Sequence, residues 1–362
     1  MEKQKDKPLY QIIANDINQM IVENDFDYDS PICTERSICE KYNVSRITAK
    51  HAIKNLEKSG ILYRKRGVGS FVTKLADTDN HAAPKKVFAL IMPFNSSQGG
   101  LFMTVESASK LFALHQCQLT IHVSHSIEQD TELLNQLYAQ NISGIVYYPR
   151  SLDLPYETFQ RFIEINIPVI ILDQSFPLDN LSSVVCDHYK GGYMLAEHLI
   201  SYGHRNICYL SKNTPEQLTT VRDRYNGYVD CLKNSGISTP PQFIHWNPDD
   251  NEGYHLLKHI VNTLHGEGVT AILCETDEVA FNVYLCCGSL GIRVPEEMNI
   301  TGFDNIEWAT IGSARITTID QNFSKIGEAV ANILLHEPYV ISRQLIPVQL
   351  IPRFSTRKSN TI

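Results

Sequence analysis

Short apolar runs alternate with longer stretches of helical pattern through most of the chain after residue 86. The runs lie at 87–92, 118–123, 143–148, 167–172, 182–186, 206–210, 270–274 and 297–303. A segment that is apolar at nearly every position is buried on both faces, as strands are in a parallel sheet covered by helices. About 270 residues are more than one such domain usually holds. We therefore predict an α/β body made of two parallel-sheet subdomains.

The chain begins with a smaller module of different character. Between Cys33 and Lys74 there are 10 Lys and Arg residues but only 3 Asp and Glu residues, whereas the whole chain of 362 residues has a net charge of −8. A basic module on an acidic body indicates an anionic partner for the module alone.

The pattern of this module predicts three helices and a β-hairpin. Apolar residues at helical spacing mark a first helix from Leu9, and Thr34 and Ser45 are suited to cap the next two. The segment ILYRKRGVGSFV then favours two short strands around a basic tip that contains glycine. Three helices followed by a hairpin form a winged helix-turn-helix, an α+β domain in which one helix enters the major groove of DNA.

The third predicted helix has two different faces. The apolar face consists of Ala49, Ala52, Ile53 and Leu56. The opposite face carries Arg46, Lys50 and Lys54. No acidic residue stands at i+4 to pair with these cations, which favours a DNA-binding role. A basic face that is merely solvated is the alternative interpretation.

Residues 8–73 resemble the GntR family of bacterial regulators, through PLYQIIANDI and CTERSICEKYNVSRITAKHAIKNLEKSGILYRKRGVGSFV. Cys33 stands where that family usually has Pro, and Lys50 where it commonly has Arg. The resemblance implies operator DNA as a partner. It implies DNA contacts from Arg36, Ser45, Arg46, Thr48 and Lys50, with Arg66 and Gly67 at the tip of the wing.

Polar and aromatic side chains follow the predicted strands of the body. Because ligands of such sheets bind at the carboxyl ends of the strands, these side chains are candidates for a binding site. They are Arg150, Asp173, Arg224, Trp246, Asp277, Asp304 and Gln321, together with the loop after the first strand. Carboxylates and a guanidinium can hold hydroxyl groups, and aromatic rings can stack on a sugar. Each residue also has a structural alternative: Asp277 as a helix cap, Asp304 as a turn residue and Arg224 as the partner of Asp223 or another surface acid.

Residues 87–353 resemble the LacI-type sugar-responsive domain, most specifically through YGHRNI and GIRVPEEMNITGFDN. The resemblance implies an effector site formed by Asp173, Arg224, Trp246, Thr276, Asp277, Asp304 and Gln321. Thr276 stands where Asn is common. In the first loop the alignment is loose, and Asn95, Ser96 and Phe102 are candidates there. The pairing of the two modules resembles that of the arabinose-responsive repressors.

The segment KLADTDNHAAPKK (74–86) is polar and aperiodic, which is typical of a linker. Together with the two resemblances, it implies a division into domains. We expect the DNA-binding domain at 1–75 and a linker at 76–86. We expect one subdomain of the effector domain at 87–186 with 319–337, and the other at 187–318 with 338–356. The chain is expected to cross between the subdomains near 186–187, 318–320 and 336–339.

The predicted function is a transcriptional regulator, most simply a repressor that a sugar releases from DNA. It is expected to act as a cytoplasmic homodimer without a cofactor or a metal ion. An enzyme is the main alternative, but none of the motifs GxSxG, Walker A, HExxH or GxGxxG occurs. A sugar-binding protein without a DNA role is the other, and the basic module argues against it. The start of the chain lacks the apolar segment of a signal peptide, and no apolar run is long enough to span a membrane.

Overall fold

The structure is a computed structural model that describes residues 9–22, 31–58, 62–65, 68–72, 86–93, 99–176, 178–238, 242–247, 253–336 and 338–358. The chain divides into two compact units, Met1–Ala83 and Pro84–Ile362. Arg66, Gly67, Asn95 and Ser96 lie outside the described residues, as does the expected linker except its last residue.

The smaller unit contains the predicted three helices and hairpin. The helices are α1 (Leu9–Val22), α2 (Glu35–Tyr42) and α3 (Arg46–Lys58). The hairpin pairs β1 (Leu62–Lys65) with β2 (Gly69–Val72) in antiparallel register. The predicted α+β winged helix-turn-helix is confirmed.

Both predicted helix caps of the small unit are present. The Thr34 hydroxyl accepts a hydrogen bond from the amide of Ser37 at 3.0 Å, and the Ser37 hydroxyl accepts one from the amide of Thr34 at 2.8 Å. The Ser45 hydroxyl accepts from the amide of Thr48 at 3.2 Å. These bonds satisfy amides that a helix start leaves without a partner. The core is formed by the predicted apolar face of α3, buried against α1 and α2.

The larger unit alternates strands and helices. Its strands are β3 (Lys86–Met92), β4 (Cys117–Val123), β5 (Gly144–Tyr147), β6 (Val169–Leu172), β7 (Ser182–Cys186), β8 (Ile207–Ser211), β9 (Gln242–His245), β10 (Ala271–Cys274), β11 (Asn299–Thr301), β12 (Thr318–Asp320), β13 (Arg343–Ile346) and β14 (Gln349–Ile351). Its helices are α4 (Gly99–Leu114), α5 (Ile127–Ala139), α6 (Tyr156–Glu164), α7 (His188–Ser201), α8 (Thr219–Asn234), α9 (Gly253–Gly266), α10 (Asp277–Leu290) and α11 (Phe323–Leu335).

Two parallel sheets define two lobes. The first lobe has the strand order β13-β7-β6-β5-β3-β4, and the second has β11-β10-β8-β9. Alternate residues of one strand enter different cores: Phe88 and Leu90 of β3 join one cluster, and Ala89 and Ile91 join the other. Burial on both faces explains the continuous apolar runs, and each of the predicted runs overlaps a strand. The predicted α/β body with two parallel sheets is confirmed.

Three connections join the lobes. The chain leaves the first lobe after β7, returns between β12 and α11, and leaves again between β13 and β14. The expected assignment of all of 338–356 to the second lobe is wrong, because β13 pairs with β7 in the first sheet. The last crossover therefore lies at 346–349 rather than at 336–339. Sequence patterns missed β13 because it is a half-exposed edge strand without a continuous apolar run.

None of the described helices has both the length and the apolar character needed to cross a membrane.

Candidate functional site

The cations of α3 form an exposed surface on the small unit. Arg46, Lys50 and Lys54 are all exposed, as predicted. Arg46 nevertheless has an acidic partner, since its Nε donates to Glu35 of α2 at 2.8 Å. This hydrogen bond lowers the pKa of Glu35 below its ordinary value. Because the partner lies on a neighbouring helix, spacing within α3 did not reveal it.

Other predicted DNA-binding residues surround the start of α3. The side chain of Arg36 is 89% exposed and pairs with Glu40 at 2.8 Å. The hydroxyls of Ser45 and Thr48 are hydrogen-bonded at 2.9 Å in the first turn of α3. Ile47 of the same turn is 82% exposed and was missed, because an apolar residue gives no signal in a count of charges. The first turn of α3 therefore presents cationic, hydroxyl and apolar groups to solvent.

A cavity of about 710 Å³ lies between the two lobes of the large unit. The carboxyl ends of strands from both sheets face it, as this architecture requires. Of the predicted effector residues, the lining includes Arg150, Asp173, Arg224, Thr276, Asp304 and Gln321. The structure thus brings together side chains that are up to 171 positions apart, from Arg150 to Gln321.

Arg224 is the central cation of the cavity and only 5% exposed. Its Nη1 donates to the carbonyl of Glu275 at 2.6 Å, and its Nε donates to His188 Nδ1 at 3.1 Å. Its Nη2 lies 3.7 Å from Asp304 Oδ1. The guanidinium also lies 3.7 Å from the centre of the Phe303 ring. These contacts fix the guanidinium plane before any ligand arrives, which lowers the entropic cost of binding.

The alternative that Arg224 pairs with Asp223 is wrong. Asp223 pairs with Arg222 at 3.3 Å on the surface. Arg224 points inward because α8 packs very closely on α7. The close approach requires Gly192 and Gly227, since a Cβ atom at either position would collide with backbone atoms of the other helix.

Two carboxylates of the cavity differ in charge. Burial raises the pKa of Asp173, but the hydrogen bonds from His188 and Tyr148 and the nearby charge of Arg224 outweigh it and lower this pKa to about 2. Burial raises the pKa of Asp304 to about 7, although Arg224 opposes the shift. Near neutral pH, Asp173 is therefore ionised, whereas Asp304 is partly protonated.

Both of these aspartates leave their strands on unusual backbone. Asp173 has a φ of 66° and Asp304 a φ of 115°. Residues other than glycine seldom adopt such angles, and those that do are concentrated at functional sites. The Asp173 side chain accepts from the Tyr148 hydroxyl at 2.6 Å, and the Asp304 side chain accepts from the Gln321 amide. The alternative of Asp304 as a turn residue describes its backbone, while its carboxyl group lines the cavity.

Asp277, Trp246 and Phe102 do not line the cavity. Asp277 is fully buried, and its carboxyl group accepts from the amide of Ile306 at 2.9 Å and from the Thr318 hydroxyl. Burial and the nearby Asp304 raise the pKa of Asp277 well above its ordinary value. The cap of α10 is Thr276, which accepts from the amide of Val279. The alternative interpretation of Asp277 as the cap is therefore wrong by one residue, because the cap is its neighbour Thr276.

The two aromatic candidates are placed elsewhere. Trp246 is 4% exposed in the core of the second lobe, where its indole donates to the carbonyl of Gly253 at 2.7 Å. Phe102 is 60% exposed on α4. The aromatic residues that do line the cavity include Trp308, Tyr148 and Phe323. Trp308 packs on Phe281 with ring centres 5.4 Å apart. Trp308 lies only four residues after Asp304 in the sequence. This closeness to a predicted site residue could have indicated that Trp308 lines the cavity.

Sequence reasoning also missed polar residues of the cavity. Tyr148 lines it beside Asp173, and Lys212 lines it while pairing with Glu278 at 2.7 Å. The residue types of Lys212 and Tyr148 alone did not indicate that these side chains line a binding site. Donors, acceptors and an aromatic ring thus face one space, an arrangement suited to a small ligand with several hydroxyl groups.

Asp173, Cys186 and His188 are close enough to be considered as metal ligands. Both ring nitrogens of His188 already have hydrogen-bond partners, Arg224 and Asp173. Burial raises the pKa of the Cys186 thiol well above its ordinary value, so the thiolate that a metal requires is disfavoured. The three residues serve the hydrogen-bond network of the cavity.

Comparisons with known proteins agree with this two-part organisation. Residues 9–72 match the model of the bacterial regulatory proteins of the gntR family, and residues 196–356 match that of a periplasmic binding protein-like domain. The arabinose metabolism transcriptional repressor of Halalkalibacterium halodurans is 26% identical over 335 residues, which cover 90% of this chain and 88% of that protein.

Two further proteins are similar to parts of the chain. The HTH-type transcriptional repressor PurR of Pasteurella multocida is 27% identical over 249 residues, covering 66% of this chain and 70% of that protein. The crystal structure of a LacI family transcriptional regulator from Enterococcus faecium with bound ribose has a TM-score of 0.65 at 22% identity, covering 75% of this chain and 99% of that one. The fold, the matched domains and these relatives identify the chain as a transcriptional regulator that joins a gntR-type DNA-binding domain to a periplasmic-binding-protein-like domain.

Proposed function

We propose that this regulator is a repressor that binds operator DNA through α3 and its hairpin and leaves the DNA when a sugar occupies the interlobe cavity. The observation that carries the proposal is the cavity itself. It combines a fixed guanidinium, two carboxyl groups and the ring of Trp308 in one space between two lobes. The bound sugar and the operator are both expected in the cytoplasm.

The chemistry of the cavity favours a sugar as the effector. Neighbouring hydroxyls of a sugar both donate and accept hydrogen bonds, so they match Arg224 as a donor and Asp173 as an acceptor. An aromatic ring packs well on the C–H face of a sugar. A volume of about 710 Å³ is ample for a monosaccharide or disaccharide. Because the relative from Halalkalibacterium halodurans is named for arabinose metabolism, arabinose is the first sugar to test.

A thermal-shift screen tests the proposal. The wild-type protein is heated with pentoses, hexoses, disaccharides, sugar phosphates and, because of the PurR relative, purine bases. A ligand at 100 times its Kd stabilises the native state by about 2.7 kcal/mol. We expect one sugar class to raise Tm and to release a DNA fragment selected by the wild-type protein. Stabilisation by a purine alone, or by nothing in the panel, would overturn the assignment of a sugar.

Trp308 is expected to contribute directly to binding. Replacing Trp308 with alanine removes the ring face and should weaken sugar binding roughly fivefold, since such aromatic contacts contribute about 1 kcal/mol. Calorimetric titration with the sugar measures the loss of affinity. Intrinsic fluorescence is a second readout of the site, because a sugar in the cavity should perturb the emission of Trp308 in the wild-type protein. Trp246→Phe is the control, and it should retain the fluorescence response. A response that persists in Trp308→Ala and disappears in Trp246→Phe would place the sugar elsewhere.

We also propose that the protein is a homodimer through its larger unit. One short recognition helix makes few base contacts, and two-fold operators are read by paired domains. Light scattering at micromolar concentration should give twice the chain mass, and both half-sites of a selected operator should be protected together. A monomer that protects one half-site alone would contradict this expectation.

A further inference from the structure

His188 occupies the first crossover between the lobes. It is the first residue of α7, two residues after β7 ends, and it is only 2% exposed. Its Nε2 lies 2.9 Å from Asp173 Oδ1 of the first lobe. Its Nδ1 lies 3.1 Å from Arg224 Nε of the second lobe. The ring of His188 therefore contacts one charged cavity residue from each lobe.

The directions of these two hydrogen bonds fix the proton on the ring. An arginine Nε–H can only donate, so His188 Nδ1 accepts and carries no proton. Nε2 then carries the proton and donates it to the Asp173 carboxylate. The ring is neutral in this arrangement. A second proton on Nδ1 would point at the Arg224 N–H and would place two cations together, so the contact with Arg224 excludes it.

The bonds form a continuous chain across the cavity wall. The Tyr148 hydroxyl donates to Asp173, Asp173 accepts from His188, and His188 accepts from Arg224. Arg224 in turn donates to the carbonyl of Glu275. The Phe303 ring packs beside His188, with ring centres 5.9 Å apart. Among these hydrogen-bonded residues, His188 is the one that lies at the crossover between the lobes.

We propose that His188 is a positioning residue that couples the two lobes, by holding Arg224 and Asp173 in one hydrogen-bonded chain. This proposal rests on the sugar-binding function proposed for the cavity. A ligand that contacts Arg224 meets a guanidinium whose orientation depends on Asp173 in the other lobe. A ligand that binds to Arg224 in the second lobe therefore favours, through His188, one relative arrangement of the two lobes. Without the ring, the Arg224 Nε would lose its acceptor and Asp173 would lose a donor.

Two substitutions separate the hydrogen bonds from the shape of the ring. His188→Phe keeps a planar ring and removes both bonds. His188→Gln offers a carbonyl oxygen to Arg224 and an amide N–H to Asp173, so it can restore both. We expect His188→Phe to raise the sugar concentration needed for half-release of operator DNA by about tenfold or more. We expect His188→Gln to stay within about threefold of wild type, and both variants to bind DNA normally without sugar.

The titration uses arabinose or, if arabinose does not stabilise the wild-type protein, the sugar that does. Release of DNA from His188→Phe at the wild-type concentration would overturn the coupling role. Failure of every sugar to release the wild-type protein would instead overturn the proposed function. Should His188→Phe not fold, NMR of protein with 15N-labelled histidine decides. The signal of His188 is the one that disappears in His188→Gln. A neutral ring protonated at Nε2 supports the proposal, and a ring protonated at Nδ1 or at both nitrogens overturns it.

Discussion

Replacing Arg224 with alanine is expected to produce a repressor that binds its operator normally but no longer responds to the sugar. The side chain is buried at the cavity, where it donates hydrogen bonds to His188 and to the carbonyl of Glu275. Loss of a buried, charged hydrogen-bond donor costs about 2 kcal/mol or more in ligand binding, roughly a 30-fold change in affinity. Asp304→Ala should act in the same direction, because its carboxyl group lies 3.7 Å from the Arg224 guanidinium in the cavity.

A gel-shift titration with sugar measures this effect. The matched control is Asp223→Ala, since Asp223 is the sequence neighbour of Arg224 but pairs with Arg222 on the surface. The control should release DNA at the wild-type sugar concentration. If Arg224→Ala and Asp304→Ala are both folded and still release DNA at that concentration, the cavity is not the effector site.

Replacing Arg46 with alanine is expected to remove specific operator binding. The side chain is 85% exposed in the first turn of α3, where a recognition helix contacts base edges. Its contact with Glu35 is at the surface, so DNA can readily compete for it. We expect a loss of roughly 10- to 100-fold in affinity for the operator and little change for unrelated DNA.

The control for Arg46 is another exposed, paired arginine. Arg293 of the larger unit is 68% exposed and pairs with Glu297 at 3.0 Å, so Arg293→Ala removes the same charge far along the chain. Footprinting at constant salt should show protection by Arg293→Ala and none by Arg46→Ala. Equal protection by both variants would mean that α3 is not the recognition helix. Lys50→Ala is expected to follow Arg46→Ala.

The sequence predicted the fold well because burial leaves a periodic pattern. Strands buried on both faces appear as continuous apolar runs, and the apolar face of α3 appears at helical spacing. Half-exposed edge strands leave no such pattern. For this reason β13 escaped prediction, and the expected boundary of the second lobe was wrong there.

The cavity was predicted less completely, for a physical reason. A position after a strand indicates which edge of the sheet a residue reaches, but it does not indicate whether its side chain points into the cavity or into the core. Arg224 and Asp304 point into the cavity, whereas Trp246 and Asp277 are buried in the second lobe. His188 joins the network through hydrogen bonds between helices and loops that no local pattern encodes.

The central claim is that one chain couples a sugar cavity to a DNA-binding domain. Coupling between two binding sites is reciprocal, so operator DNA must weaken sugar binding by the same factor by which sugar weakens operator binding. Isothermal titration of the sugar into free protein and into protein saturated with a selected operator measures this directly. The account predicts weaker sugar binding in the complex, by the factor seen in gel shifts. Equal sugar affinity in the two states would contradict it, because such a ligand shifts no equilibrium.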